Sequence, residues 1–203
     1  MKISLQILLL FCLIAYHGTA SAQADPPPYN TLEKRIAAKK ELLKYDLSGI
    51  FTHTDNKQVF GFIGDNFQRL RIKFQSVRKD PAKPDTYIVT GKSLVKNNIR
   101  SFTGRITLNV ASISSPEFYG LDDEYKDKGI KVRYTLWGAY VLSETGNDEH
   151  SGVFKGIVTA KVYIDKNNVV QYDDIDINSD SFANNQFMGQ WVSYDKKTIK
   201  TCN

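Results

Sequence analysis

The chain predicts an all-β domain: one antiparallel up-and-down β-barrel of eight or nine strands behind a single N-terminal helix. Three observations carry that prediction. Beyond Ser48, apolar and polar residues alternate with a period of two, the mark of half-buried antiparallel strands. Three connectors between these runs, Asp65-Asn66, Asn97-Asn98 and Lys166-Asn167-Asn168, are short and hold Asn and Asp, which tolerate the positive φ of tight hairpins, while Lys79–Asp85 with its two prolines is a longer loop. Glycines recur inside the runs, where they weaken a flat sheet but let a closing one bend. Composition sets the bounds. With 203 residues, 41% hydrophobic and 24% charged, the chain supports one sizeable core. Its 13 Gly, 6 Pro and 2 Cys exclude collagen-like, disordered and disulfide-dense classes.

The elements follow in order. Met1-Lys2, the apolar run from Leu5 to Ala15 and the small residues Ala20-Ser21-Ala22 are arranged as a secretory signal peptide, cleaved after Ala22. The run is short of the roughly 20 residues that cross a bilayer. Residues 1–22 therefore predict export, to the periplasm or the medium if the source is bacterial, with no transmembrane anchor in the mature chain. Cys12 lacks the small residues that precede a lipidation site. Losing it leaves Cys202 as the single thiol, so no intrachain disulfide is expected. Cys202 reads as an incidental residue of a fraying tail, with pairing between chains as the alternative.

Residues 23–47 form a linker and a helix. Asp25-Pro26-Pro27-Pro28-Tyr29 is a stiff extended spacer. Asn30-Thr31-Leu32-Glu33 fits a capping box for a helix reaching Tyr45. Leu32, Ile36 and Leu43 form its apolar stripe, with Lys34, Lys39, Lys40 and Lys44 on the other side. A basic amphipathic helix suits a membrane surface, but this stripe is narrow and predicts packing on its own domain.

Residues 48–203 are the barrel domain. A short opener at Gly49–His53 precedes strands at Gln58–Ile63, from Phe67, at Thr86–Val95, from Phe102, at Val132–Ser143, from Phe154, at Val169–Ile177 and at Gln186–Tyr194. In the second of these Leu70, Ile72 and Phe74 face one way and Arg69, Arg71 and Lys73 the other. Ser114 to Gly129 is the longest loop, with a helical turn expected around Asp122-Asp123-Glu124-Tyr125, and Asp195–Asn203 is a polar tail. A two-sheet sandwich is the competing architecture. An outer-membrane barrel would show the same alternation, but the polar tail after the last strand argues against it.

The tripeptides Phe102-Thr103-Gly104, Phe154-Lys155-Gly156 and Phe187-Met188-Gly189 share an F-x-G form. At that spacing ring and glycine share a face, so a ring can cover bare backbone nearby. A helical turn followed by Ser48-Gly49-Ile50-Phe51 resembles the G-x-W opening of lipocalins and other calycin-type barrels, with Phe51 where Trp is expected. Phe187-Met188-Gly189-Gln190-Trp191 is similar to the aromatic–glycine strands of that superfamily. The T-D-Y signature and the cystine pairing of many lipocalins are missing. What the resemblance implies is a barrel over Ser48–Tyr194 with a small ligand in its mouth.

Catalytic chemistry has no motif behind it. The chain lacks G-x-S-x-G, H-E-x-x-H, paired-cysteine metal spacing and a phosphate-cradling glycine loop, so no catalytic residue, metal or cofactor is predicted. His53 and His150 read as solvated loop histidines. Asp122-Asp123-Glu124 and Asp173-Asp174-Ile175-Asp176 lack a calcium-loop pattern and read as charged edges. Arg69, Arg71, Lys73, Arg105, Lys155 and Lys161 form an outer basic stripe, but export and a net charge of +5, or +4 once Lys2 is cleaved away, argue against nucleic acid. The candidate ligand-binding residues are the inward rings Phe74, Phe102, Tyr134, Tyr140, Phe154, Phe187 and Trp191. They either fill the interior or line an apolar pocket. Two expectations follow: a binding protein that holds a small apolar or aromatic ligand, or an interaction module that meets a protein or glycan through its outer surface and the 114–129 loop. Trp137, on the opposite face, belongs to the second reading unless the helix covers it.

Overall fold

The computed structural model describes residues 31–53, 61–114, 119–120, 123–146, 150–180 and 182–203. The expected leader, proline spacer and Asn30 cap lie outside the described residues, as do 58–60 of the first expected strand. Among these residues two α-helices, α1 (Leu32–Leu42) and α2 (Ser48–Thr52), precede nine strands. These are β1 (Gly61–Ile63), β2 (Gln68–Asp80), β3 (Lys83–Val95), β4 (Asn98–Ser114), β5 (Ile130–Glu144), β6 (Gly152–Asp165), β7 (Val170–Tyr172), β8 (Gln186–Ser193) and β9 (Ile199–Cys202). All pairings are antiparallel, and β5–β6 pairing closes the order β5-β4-β3-β2-β1-β9-β8-β6-β7 in a ring. The short β7 pairs with Val162–Ile164 and β8 with Gly152–Thr159, so the two lie in line along one edge of β6.

Closure rests on a segment that sequence alone assigns to a polar tail. Ile199–Cys202 is a strand, with Cys202 paired to Ile63 on one side and Gly189 on the other. Phe62 and Asn203 exchange backbone bonds of 2.7 and 3.1 Å, and Gly64 N–H donates to Thr201 O at 2.9 Å. Cys202 is therefore buried in the seam rather than frayed. Interstrand register threads one inward row through every strand of the closed ring but β2: Tyr87, Ile106, Tyr140, Gly156, Gly189, Cys202, Ile63. Two adjacent members of that row have no side chain. A Cβ on Gly156 would run into the Met188 carbonyl and lie 2.6 Å from Gly189 Cα, so the backbones approach too closely for any other residue.

Helix α1 starts at Thr31, whose Oγ1 accepts from Lys34 N–H at 3.4 Å, and carries Glu33 in its first turn and Lys39 and Lys40 in its last. Its buried face keeps only Leu43 of the predicted stripe, half-buried against the core. Leu32 and Ile36 are exposed, while Ala38 and Leu42 are buried against β4. The rotation follows from polar anchors: Lys39 Nζ meets Asp85 at 3.1 Å, and the Arg35 guanidinium lies 5.7 Å above the Trp137 ring. Trp137 is thus half-buried beneath the helix. The predicted opener at Gly49–His53 is helical instead, because Asp46 Oδ1 accepts from both Ser48 N–H (2.9 Å) and Ser48 Oγ (2.6 Å), which starts α2. The helix then lays Ile50 and Phe51 into the core, with Phe51 5.7 Å from the Tyr87 ring.

One further expectation changes. The strand predicted at Val169–Ile177 stops at Tyr172, because Asp173 turns in to meet Arg133. Of the turn expected around Asp122–Tyr125, Asp122 lies outside the described residues, Asp123 is in a 3-10 turn, and a further 3-10 turn at Lys126–Lys128 ends on Gly129 at φ 65°.

Candidate functional site

Five of the seven predicted rings, Phe102, Tyr134, Tyr140, Phe154 and Trp191, are buried; Phe74 and Phe187 are half-buried. Four of them meet. Phe102 and Phe74 stand edge-on at 6.0 Å, Phe74 and Phe187 are tilted at 5.5 Å, and Phe187 and Tyr140 stand edge-on at 5.2 Å. This chain runs from β4 through β2 and β8 to β5, across the inside of the ring, in geometries that aromatic quadrupoles favour. Burial pushes the hydroxyls of Tyr140 and Tyr87 up to about 12, that of Tyr140 with a small addition from Cys202. Tyr134 stands apart at the helix-bearing end, where burial and then Glu41 raise its hydroxyl.

Rings do cover bare backbone, across neighbouring strands. A Cβ on Gly91 would lie 2.5 Å from Phe102 Cζ, and one on Gly152 would lie 2.7 Å from Trp191 Cε2. Phe154 and Trp191 are cross-strand partners. Trp191 Nε1 donates to Glu144 Oε2 at 2.9 Å.

Sequence reasoning misses the group around that indole. Glu144 is buried at the end of β5, where it accepts from Ser93 Oγ, Gly152 N–H (3.2 Å) and Trp191 Nε1, while its backbone carbonyl accepts from Tyr194 Oη. One carboxylate thus ties β3, β6 and β8 together. The signal was available: Glu144 has the inward parity of Tyr140 and Leu142. Lys200 Nζ sits 5.6 Å from the Trp191 ring centroid. Nearby, burial pushes the Cys202 thiol up to about 11, against the lowering effect of the Trp191 backbone.

Asp173 is also more than a charged edge. It is buried and bonded to Arg133 at 2.9 and 3.0 Å. Asn184 bridges Lys161 N–H (2.7 Å), Lys161 O (2.8 Å) and Asp173 O (3.0 Å), which docks the segment between β7 and β8. Asp174 and Asp176 lie in that segment, beyond the end of β7. His53 stacks on Tyr172 at 4.4 Å.

Outside the ring, a shallow groove of about 640 Å³ crosses β5, β6, β8 and β9. Ala139, Ile157 and Met188 form one outward row beneath it and Val141, Lys155, Gln190 and Thr201 the next. Val141, Ile157 and Met188 are exposed at 43%, 52% and 41%, an apolar set left on the surface. Among the described residues no cluster of three or more His, Cys, Asp or Glu is placed to hold a metal, and no helix is long and apolar enough to cross a membrane. The chain matches no family model, no curated protein and no solved structure.

Proposed function

We propose that this chain is an exported, non-catalytic binding protein built on a calycin-type up-and-down barrel, and that it meets a protein partner through its outer surface. The observation that carries the reading is the contrast between inside and outside. The chain Phe102–Phe74–Phe187–Tyr140 occupies the interior, whereas Val141, Ile157 and Met188 stand exposed around an open groove. Capture of a small apolar ligand by the seven inward rings is the competing reading, and it requires that stack to part. A glycan partner has less support, since Arg35 covers Trp137, the outward ring best suited to stack on a sugar. The partner chemistry that fits is an apolar segment with an acidic residue facing Lys155.

The test is native mass spectrometry of the protein recovered from its host, wild type against Ile157→Asp/Met188→Asp. The expected result is one stoichiometric protein partner in wild type that is lost in the variant, with far-UV dichroism unchanged. A small molecule that co-purifies with both forms and is lost in Phe187→Ala would overturn the reading and restore capture inside the ring.

A further inference from the structure

Charge is distributed very unevenly along the chain. Residues 68–114, which are β2, β3 and β4 with their turns, carry ten Lys and Arg against two Asp and no Glu, a net +8. The whole chain is +5, so everything else sums to −3. Both Asp residues, Asp80 and Asp85, sit near the β2–β3 turn, and Asp85 is already paired with Lys39. The opposite end of these strands is where cations and exposed apolar side chains meet. Register places Phe62 beside Arg69, then Arg71 beside Leu94 and Ile99, then Lys73 beside Lys92, all on the outer face. Phe67 is 74% exposed, Ile99 63% and Phe62 45%, and the rings of Phe62 and Phe67 stand edge-on at 6.3 Å. Among the described residues, Asp65 in the β1–β2 turn is the acid at this end.

Two features of the patch oppose folding. Lys73 and Lys92 are direct cross-strand partners, and like charges so placed destabilise a sheet. Phe67 has φ 49°, a left-handed conformation costly for a bulky side chain, yet the ring gains little burial from it. A polyanion without bases to stack would use the cations and leave the rings in water. A bilayer uses both, because cations draw the protein to anionic headgroups and exposed rings enter the interface.

We propose that the outer face of β1–β4, at the end bearing Phe62, Phe67 and Ile99, docks on an anionic lipid bilayer. The surface lies on strands other than those of the groove, so it stands or falls separately from the partner reading.

The experiment is co-sedimentation of the protein recovered from its host with vesicles of phosphatidylcholine alone or with about one-third phosphatidylglycerol. Binding is expected on the anionic vesicles only. Each cation near such a surface is worth roughly fivefold in partitioning, so Arg71→Gln/Lys73→Gln should weaken binding about 30-fold. Phe62→Ser/Phe67→Ser should weaken it about tenfold or more through lost apolar contact. All four positions are exposed, and melting temperatures check that the fold survives. Absence of binding, or equal binding to the neutral vesicles, overturns the proposal. So does binding that the Phe variant leaves unchanged and that heparin competes away, which would assign the face to a soluble polyanion.

Discussion

Removing the guanidinium of Arg133 should be among the most damaging single changes in this fold. Its Nη2 and Nε lie 2.9 and 3.0 Å from Asp173 Oδ2, and the two side chains are 10% and 4% exposed. The other carboxylate oxygen accepts from Ile175 N–H at 3.3 Å. Arg133→Met keeps much of the volume but leaves that carboxylate buried against a backbone donor. Breaking one side of a buried pair costs about 3–5 kcal/mol. A chain of this length loses about 2–4 °C of melting temperature per kcal/mol, which predicts a fall of roughly 6–20 °C. Removing both charges is a different perturbation: Arg133→Met/Asp173→Leu should return to within about 1 kcal/mol of wild type, since apolar replacement of a buried pair is often neutral. Thermal melts followed by circular dichroism at neutral pH read both. If Arg133→Met melts within about 2 °C of wild type, or the double variant is no better than the single, the pair does not dock the β7–β8 segment as argued.

The remaining predictions concern the ring itself. Gly156→Val should cost about 3 kcal/mol or more, because its side chain would have to displace the β8 backbone; a denaturant midpoint equal to wild type would contradict the close approach. Glu144→Leu strands the donors of Ser93, Gly152 and Trp191, at about 1–3 kcal/mol each, and should shift Trp191 emission as its environment loosens. Alkali should unfold the protein. Burial holds Cys202 at about 11 and Tyr87 and Tyr140 at about 12 in the fold, above ordinary values of 9.0 and 10.0. Folded values above unfolded ones mean stability that is whole below pH 9 and lost as pH rises towards 12. Urea midpoints at pH 8, 10 and 11.5 should fall in that order, and Tyr140→Phe should flatten the upper step. By the same cause, thiol reagents at pH 8 should label Cys202 far more slowly in native protein than in urea.

How much of this was legible from the sequence depends on where each residue's partner lies. The inward parity of Phe102, Tyr140, Phe154 and Trp191 is a local property, visible as period-two alternation, and all four are buried. The same rule misled at the helix. Leu32 and Ile36 share an apolar stripe with Leu43, but two long-range contacts, Lys39 to Asp85 and Arg35 over Trp137, set the rotation and leave both in solvent. Strand β9 was invisible for a related reason. Ile199-Lys200-Thr201-Cys202 is too short and too polar to read as a strand alone, and becomes one only where β1 and β8 each offer it an edge. Asp173 looked like one acid among several because the distinguishing partner, Arg133, is 40 positions away.

Those distant contacts also bear on where function can sit. One end of the ring is held by the helices: Leu47 N–H donates to the buried Tyr87 hydroxyl at 3.2 Å, and Lys79 Nζ donates to the carbonyls of Leu43 and Tyr45 at 2.6 and 2.8 Å. The other end is tied by Glu144 to three strands. The inward rings between these ends already meet one another. The exposed rows ask for no parting of those rings. Val141, Ile157 and Met188 on one side, and Phe62, Phe67 and Ile99 on the other, are large apolar side chains that folding leaves in water. Burying them against an outside surface is free energy the isolated chain has not used.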